Sequence, residues 1–326
     1  GNWDGLTITA DDVTFDRAVT VDGDLIINAT GIVTFKDKVT LLNGGNLIIN
    51  GASEITFTSN SGIYMTGTND GVAGNILLEG NEIDLSMSEN QVQGAGTITL
   101  RQTSLTMAVA IGSPEGIGTN NVLNLDVNEL RTLQEGFSKI IIGHESADHA
   151  LSGTSASMVT IGANDAITAL FRDDIAIYGG SINVKDSGYQ DQILRVGAGE
   201  FLTLDAVNNI TIANEIEADS VTLYSANGSI TQADESEDGL LDEAIRTLEL
   251  IVSAQSGINL DSIETPVLDV VNRGTGNIAL TVNEARTSLP ESRFTNTQID
   301  GNINVARLAQ TSVSGTGNIS LTTNGG

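Results

Sequence analysis

Few residues in this sequence have both the type and the spacing for chemistry. Asp234, Ser236 and Asp238, followed by Gly239, match the first half of the calcium-loop pattern D-x-[DN]-x-[DN]-G, where alternate oxygens converge on a hard cation and glycine permits a sharp turn. These three are the calcium candidates. The twelfth position of such a loop carries a bidentate Glu, and here it is Ile245, so a solvated acidic loop is the competing reading. Asp11, Asp12, Asp16, Asp22 and Asp24 cluster near the start of the chain, where turn chemistry accounts for them more simply than loose cation binding. His144, Glu145, Asp148 and His149 are metal-ligating types, but the spacing His-x4-His does not stack two rings on a helix face and the segment reads as a loop. Arg172-Asp173-Asp174 invites comparison with a glycosidase acid pair, which needs two carboxylates flanking one bond. Adjacent residues of a strand point to opposite faces, so a structural ion pair is the expectation there. The sequence contains neither a G-x-S-x-G elbow nor a phosphate loop. Trp3, Tyr64, Tyr178, Tyr189 and Tyr224 are the aromatic side chains open to a sugar ring.

Composition narrows the classes further. The 326 residues carry 42 acids against 14 bases, a formal net charge of -28, and no cysteine. Nucleic acid and anionic lipid are met with basic patches, so neither is an expected partner. Disulfides, thiolate metal sites and cysteine nucleophiles are excluded. An apolar fraction of 40% supports a sizeable core. No apolar run reaches the roughly 18 residues of a membrane span, and membrane insertion is not expected. The chain opens at Gly1 without methionine and stops at Gly325-Gly326 directly after a strand-like segment, as an excised piece of a longer polypeptide would.

The elements that must position these residues are set by internal repeats. Val13-Thr14-Phe15 returns as Val33-Thr34-Phe35 and as Ile55-Thr56-Phe57, at steps of 20 and 22 residues. Val19-Thr20-Val21 returns as Val39-Thr40-Leu41, and Leu25-Ile26-Ile27-Asn28 as Leu47-Ile48-Ile49-Asn50. Each unit thus holds three short strands. A second signature, Gly-Asn/Ser/Thr-Ile-x-apolar, occurs at Gly74 to Leu78, Gly96 to Leu100, Gly180 to Val184, Gly276 to Leu280, Gly301 to Val305 and Gly317 to Leu321. The interval of 84 residues between Ile98 and Ile182 is about four units of 21, within an imperfect period of 20 to 28 residues.

Apolar residues alternate with Thr, Asn, Asp and Ser inside each unit, which is strand periodicity, and Gly and Asn punctuate the strands. Short strands recurring one coil later describe an all-β fold, a right-handed parallel β-helix or β-solenoid of roughly 11–14 irregular rungs with short helical excursions. Phe15, Phe35 and Phe57 should stack inside it. Residues 1–126 read as the first part of the solenoid, 127–175 as irregular rungs with a short helix and a loop insertion, and 176–326 as the second part, with an acidic insertion near 232–246. The helix is expected from an Asn128 cap to Gly136, and a helical turn over Leu240 to Arg246.

The Gly-Asn-Ile-x-Leu motif at rung spacing, with Thr/Asn/Asp-rich alternation and no cysteine, resembles the repeat regions of filamentous-haemagglutinin-like giant exoproteins. Leu123-Asn124-Leu125-Asp126 and Gln134-Glu135-Gly136-Phe137-Ser138-Lys139-Ile140 are similar to a segment of very large repeat-containing exoproteins of aquatic bacteria. The resemblance implies a right-handed β-helical shaft, an extracellular or bacterial cell-surface location, and a structural or adhesive role. It departs from the two-partner secretion domain, because Pro114, Pro266 and Pro290 are the only prolines and none follows Asn. The expected partners are further chain or further copies stacked on the end coils, and also cell-surface glycans or other surface proteins. No cofactor is expected apart from calcium. A β-helix enzyme acting on polysaccharide, lyase or hydrolase, is the rival reading. It needs convergent carboxylates or a basic cluster, which 4 lysines and 10 arginines scattered singly along the sequence do not suggest. A lectin-like glycan-binding module is the third.

Overall fold

The structure, a computed structural model, describes residues 4–69, 71–112, 122–145, 157–162, 169–185, 193–233, 245–283, 304–310 and 317–324. Among them the regular structure is nearly all strand, with a single helix at Val127–Arg131. The strands form long parallel sheets of the β-solenoid type. Two compact units are distinguished, one comprising 1–144 with 172–176 and the other 145–171 with 177–326.

In the first unit three consecutive strands make one coil, and each coil lies in register on the one before. Leu6–Ala10, Leu25–Ala29, Leu47–Ala52, Ile76–Gly80, Thr97–Arg101 and Lys139–Ile142 form one sheet. Val13–Phe15, Ile32–Phe35, Glu54–Phe57 and Ile83–Leu85 form the second, and Val19–Asp22, Lys38–Leu42, Gly62–Met65 and Val92–Gln93 the third. The pairing follows the tripeptide repeats: Val13 opposes Val33, and Val33 opposes Ile55. Alternation decides which side chains are inside. Leu25, Ile27 and Ala29 are buried while Ile26 and Asn28 face outward, and the next strand repeats this with Leu47 and Ile49 in register.

The corners explain why the repeat spells Gly-Asn. Asp24 Oδ1 accepts the Asn46 N–H at 2.8 Å, Asn46 Oδ1 accepts the Asn75 N–H at 2.8 Å, and Asn75 Oδ1 accepts the Thr97 N–H at 2.8 Å. Each side chain thereby satisfies the N–H that opens the next coil, which a chain turning between strands would otherwise leave without a partner. Glycine precedes it because the coils touch there. A Cβ on Gly74 would lie 2.0 Å from the Gly45 carbonyl oxygen, a distance no side chain tolerates.

The second unit begins with the same three-strand plan. One sheet runs Phe201–Ala206, Ser220–Ser225, Glu249–Ala254, Val267–Asn272 and Asn304–Gln310. Another runs Met158–Ile161, Ser181–Val184, Ile210–Ile212, Ile230–Gln232, Ile258–Glu264, Ile278–Asn283 and Ile319–Asn324. The third contains Ala169–Phe171, Ile193–Val196, Glu215–Glu217 and Ile245–Arg246. Ile258–Glu264 is long enough to serve two faces: Ile258 pairs with Ile230 and Ile263 with Ile245, so two sheets merge along it.

Several expectations need correction. Ile278 pairs directly with Ile319, and the signature at Gly301 to Val305 leads instead into the strand that pairs with Val267–Asn272. Ile98 is followed in its own column by Ile140, whereas Ile182, Ile210, Ile230, Ile258, Ile278 and Ile319 form a separate one. The 84-residue interval is therefore not a count of coils. A Gly-x-Ile signature marks any corner that enters a strand, and a coil has more than one such corner. The helix is also shorter and begins earlier than expected. Its cap is Asp126, which accepts the Glu129 N–H at 2.8 Å, while Glu129 returns to the Asp126 N–H at 2.7 Å. That reciprocal pair outcompetes Asn128 as the start. Ile245 and Arg246, expected in a helical turn, form a strand instead. Pairing with neighbours on both sides overrides weak helical spacing in so short a segment.

Candidate functional site

The third sheet of the second unit gathers charges that are far apart in sequence. Its inward residues Leu194, Ile216, Ile245 and Ile263 are buried and apolar. Strand alternation then sends Arg195, Glu215, Glu217, Arg246 and Glu264 to the opposite face. Register aligns Arg195 with Glu217, Glu217 with Arg246, and Arg246 with Glu264, a row of alternating sign across four strands.

Ion pairs follow the row. The Arg195 guanidinium donates from Nε at 3.1 Å and from Nη2 at 2.9 Å to Glu217 Oε2. Arg246 Nε donates to Glu264 Oε2 at 3.0 Å, and its Nη1 donates to Glu215 Oε1. Burial opposes the charge on Arg246, but the attraction of Glu215 and Glu264 outweighs it and shifts its pKa upward. Burial also pushes Glu215 up, from 4.5 to about 7; Arg246 pulls it down, Glu217 adds repulsion and Arg195 lowers it. Side-chain exposure is 6% at Glu217 and 14% at Arg246 but 32% at Arg195, so solvent reaches the row chiefly from the Arg195 end.

Sequence reasoning missed this cluster, because the bases appear singly when read along the chain. The signal that was present is strand phase. Arg195, Glu217, Arg246 and Glu264 each follow a buried apolar residue of the same column set, namely Leu194, Ile216, Ile245 and Ile263.

Asp234, Ser236 and Asp238, with Gly239, lie outside the described residues. Ile245, the residue in the twelfth position of that pattern, is a fully buried strand residue. His144 is buried, with Nε2 2.7 Å from the Gln102 carbonyl oxygen, while Asp148 and His149 lie outside the described residues. Among the described residues no group of three or more His, Cys, Asp or Glu is placed to hold a metal ion. Asp173 accepts the Gly136 N–H at 2.8 Å, and Arg172 donates to Asn90 Oδ1 at 2.6 Å. Each of these two bonds fastens a turn. The N-terminal aspartates do turn and face chemistry too: Asp11 accepts from the Thr30 hydroxyl, Asp12 from the Ile32 N–H, Asp22 from Asn43, and Asp16 pairs with Lys36.

Of the aromatic candidates, Tyr64 donates to Gln91 and lies under Lys38, whose Nζ is 5.5 Å from the ring centre. The Arg273 guanidinium covers Tyr224 at 4.5 Å. Burial raises the Tyr178 phenol, with Glu145 and Asp205 adding to the shift. Trp3 and Tyr189 lie outside the described residues. Comparison with protein-family models, with curated proteins and with solved structures finds no match to this chain. Among the described residues no helix is long and apolar enough to cross a membrane.

Proposed function

We propose that this chain is an extracellular structural and adhesive β-solenoid, a right-handed parallel β-helix of roughly 11–14 rungs that forms part of a bacterial surface or matrix fibre. One observation carries the reading. Val305, Ile319 and Leu321 are 38%, 46% and 37% exposed, although their register partners Leu268, Ile278 and Leu280 are buried. Among the described residues the inward columns of the second unit thus end at Asn304–Gln310 and Ile319–Asn324 with no further strand paired beyond them, an edge of the kind that recruits further strands. A further coil, from more chain or from another copy, would bury them. A net charge of -28 opposes side-by-side clumping and so favours growth along the columns. The likeness of the Gly-Asn-Ile signature to filamentous-haemagglutinin-like repeats supports the location, with cell-surface glycans or other surface proteins as contacts of the finished fibre.

The test is the intact mass of the native polypeptide together with sedimentation of the isolated 326-residue chain. A native mass well above 33.9 kDa, or linear assemblies that Ile319→Lys prevents, supports the proposal. A native mass of 33.9 kDa with a chain that stays monomeric at high concentration defeats it.

The rival reading, a polysaccharide lyase or hydrolase, is favoured by one observation: three carboxylates and two guanidiniums converge on one face, with Glu215 poised near neutrality. Against it, each carboxylate is already held by a guanidinium and the three carboxylates expose little surface. Turnover of an acidic or neutral polysaccharide that Glu215→Gln abolishes would establish the enzyme.

A further inference from the structure

Ile245–Arg246 is a two-residue strand, yet it joins Glu215–Glu217 to Ile258–Glu264. So short a segment contributes few ladder hydrogen bonds, and its two side chains add to its hold. Ile245 fills the core side, and Arg246 reaches Glu215 on one flank and Glu264 on the other. The charged groups around Glu215 among the described residues are Arg246, Glu217 and Arg195, with Glu264 on the far flank of Arg246. Among the described residues three carboxylates therefore face two guanidiniums, which leaves one negative charge in excess.

We propose that this cluster is a proton-operated clasp, in which uptake of one proton by Glu215 renders the five side chains neutral and tightens Ile245–Arg246 between its two neighbours. The surplus charge settles on Glu215 for a geometric reason. Glu217 holds a two-nitrogen bond from Arg195, and Glu264 lies in the same register row as Arg246, whereas Glu215 reaches Arg246 from two residues off the row. A buried carboxylate in excess of its cations is costly when ionised and harmless when neutral. A protonated Glu215 still accepts from Arg246 through its carbonyl oxygen.

The sign follows from the raised value. Glu215 titrates at about 7 in the folded chain against 4.5 for an ordinary glutamate, so between these values the folded state holds more protons than the unfolded one. The contribution is complete below 4.5 and is lost as pH rises through about 7. The clasp is closed in mildly acidic surroundings and loosened in alkaline ones.

The experiment uses the whole chain. Carbon-13 NMR of the glutamate carboxyls should show Glu215 titrating with a midpoint near 7. Amide hydrogen exchange of Ile245 and Arg246, corrected for intrinsic rates, should show protection falling by up to about tenfold per pH unit across that window. In Glu215→Gln this pH dependence should disappear, with protection at alkaline pH at least that of the parent. A Glu215 midpoint below about 5, equal protection of Ile245 and Arg246 at both ends of the window, or an unchanged slope in Glu215→Gln would each overturn the proposal. The carboxyl titration is read on the unsubstituted chain, so the test survives a variant that folds poorly.

Discussion

The rings of Phe35 and Phe57, 22 residues apart in sequence, lie 4.7 Å apart and 5° from parallel. Phe15 adds a third ring at 4.9 Å from Phe35. Identical side chains in identical register have no choice but to stack at the strand spacing, so this column measures how faithfully one coil repeats the next.

Phe35→Ala should destabilise the first unit by about 3–5 kcal/mol, because it removes a fully buried ring and leaves a cavity between two others. Phe35→Leu should cost roughly half or less of that. Urea denaturation followed by circular dichroism separates the two, and equal losses would show that the column is not a packing unit.

Gly74→Ala should cost about 1–3 kcal/mol although alanine is chemically the mildest change. The added methyl carbon would sit 2.0 Å from the Gly45 carbonyl oxygen, so two coils must part at that corner. Faster amide exchange at Leu47, whose N–H donates to the Asn75 carbonyl at 3.0 Å, should accompany the loss. Unchanged exchange there would contradict the corner contact.

Glu129 predicts a pH effect in the first unit. Burial raises it from 4.5 to about 9, against the lowering effect of the Asp126 and Leu85 N–H groups. The folded state therefore retains a proton that the unfolded chain releases above 4.5, and stability falls as pH rises through about 9. Moving from pH 8 to pH 5 should raise the urea midpoint, by at most about 1.4 kcal/mol per pH unit. A midpoint that rises with pH over this range would refute the assignment.

Arg246→Met should destabilise the second unit by about 3–5 kcal/mol, since Glu215 and Glu264 would be left buried without a cation. Adding Glu215→Gln and Glu264→Gln to that variant should restore most of the loss. If the triple variant is as unstable as the single one, the arginine acts through its packing and not its charge.

How much of this was legible beforehand differs from residue to residue. The tripeptides alone align Val13, Val33 and Ile55, and the structure pairs them so. Asp126 and Asn128 are equally good caps by type, and only the return bond from Glu129 selects between them. The charge row was invisible for a related reason. Glu217 and Arg246, 29 residues apart, become partners only when coils of unequal length are closed, and nothing local states those lengths.

Local sequence specifies a repeating all-β chain: period-two alternation assigns each strand an inner face, and the Gly-Asn corners set where one strand ends and the next begins. These are local properties, carried by a few consecutive residues. The tertiary structure alone decided which corner of a coil each Gly-x-Ile signature occupies, that Ile258–Glu264 serves two sheets, and that three carboxylates meet two guanidiniums on one face. Those depend on register between residues 18 to 31 positions apart, which the burial of whole columns selects and no single segment encodes.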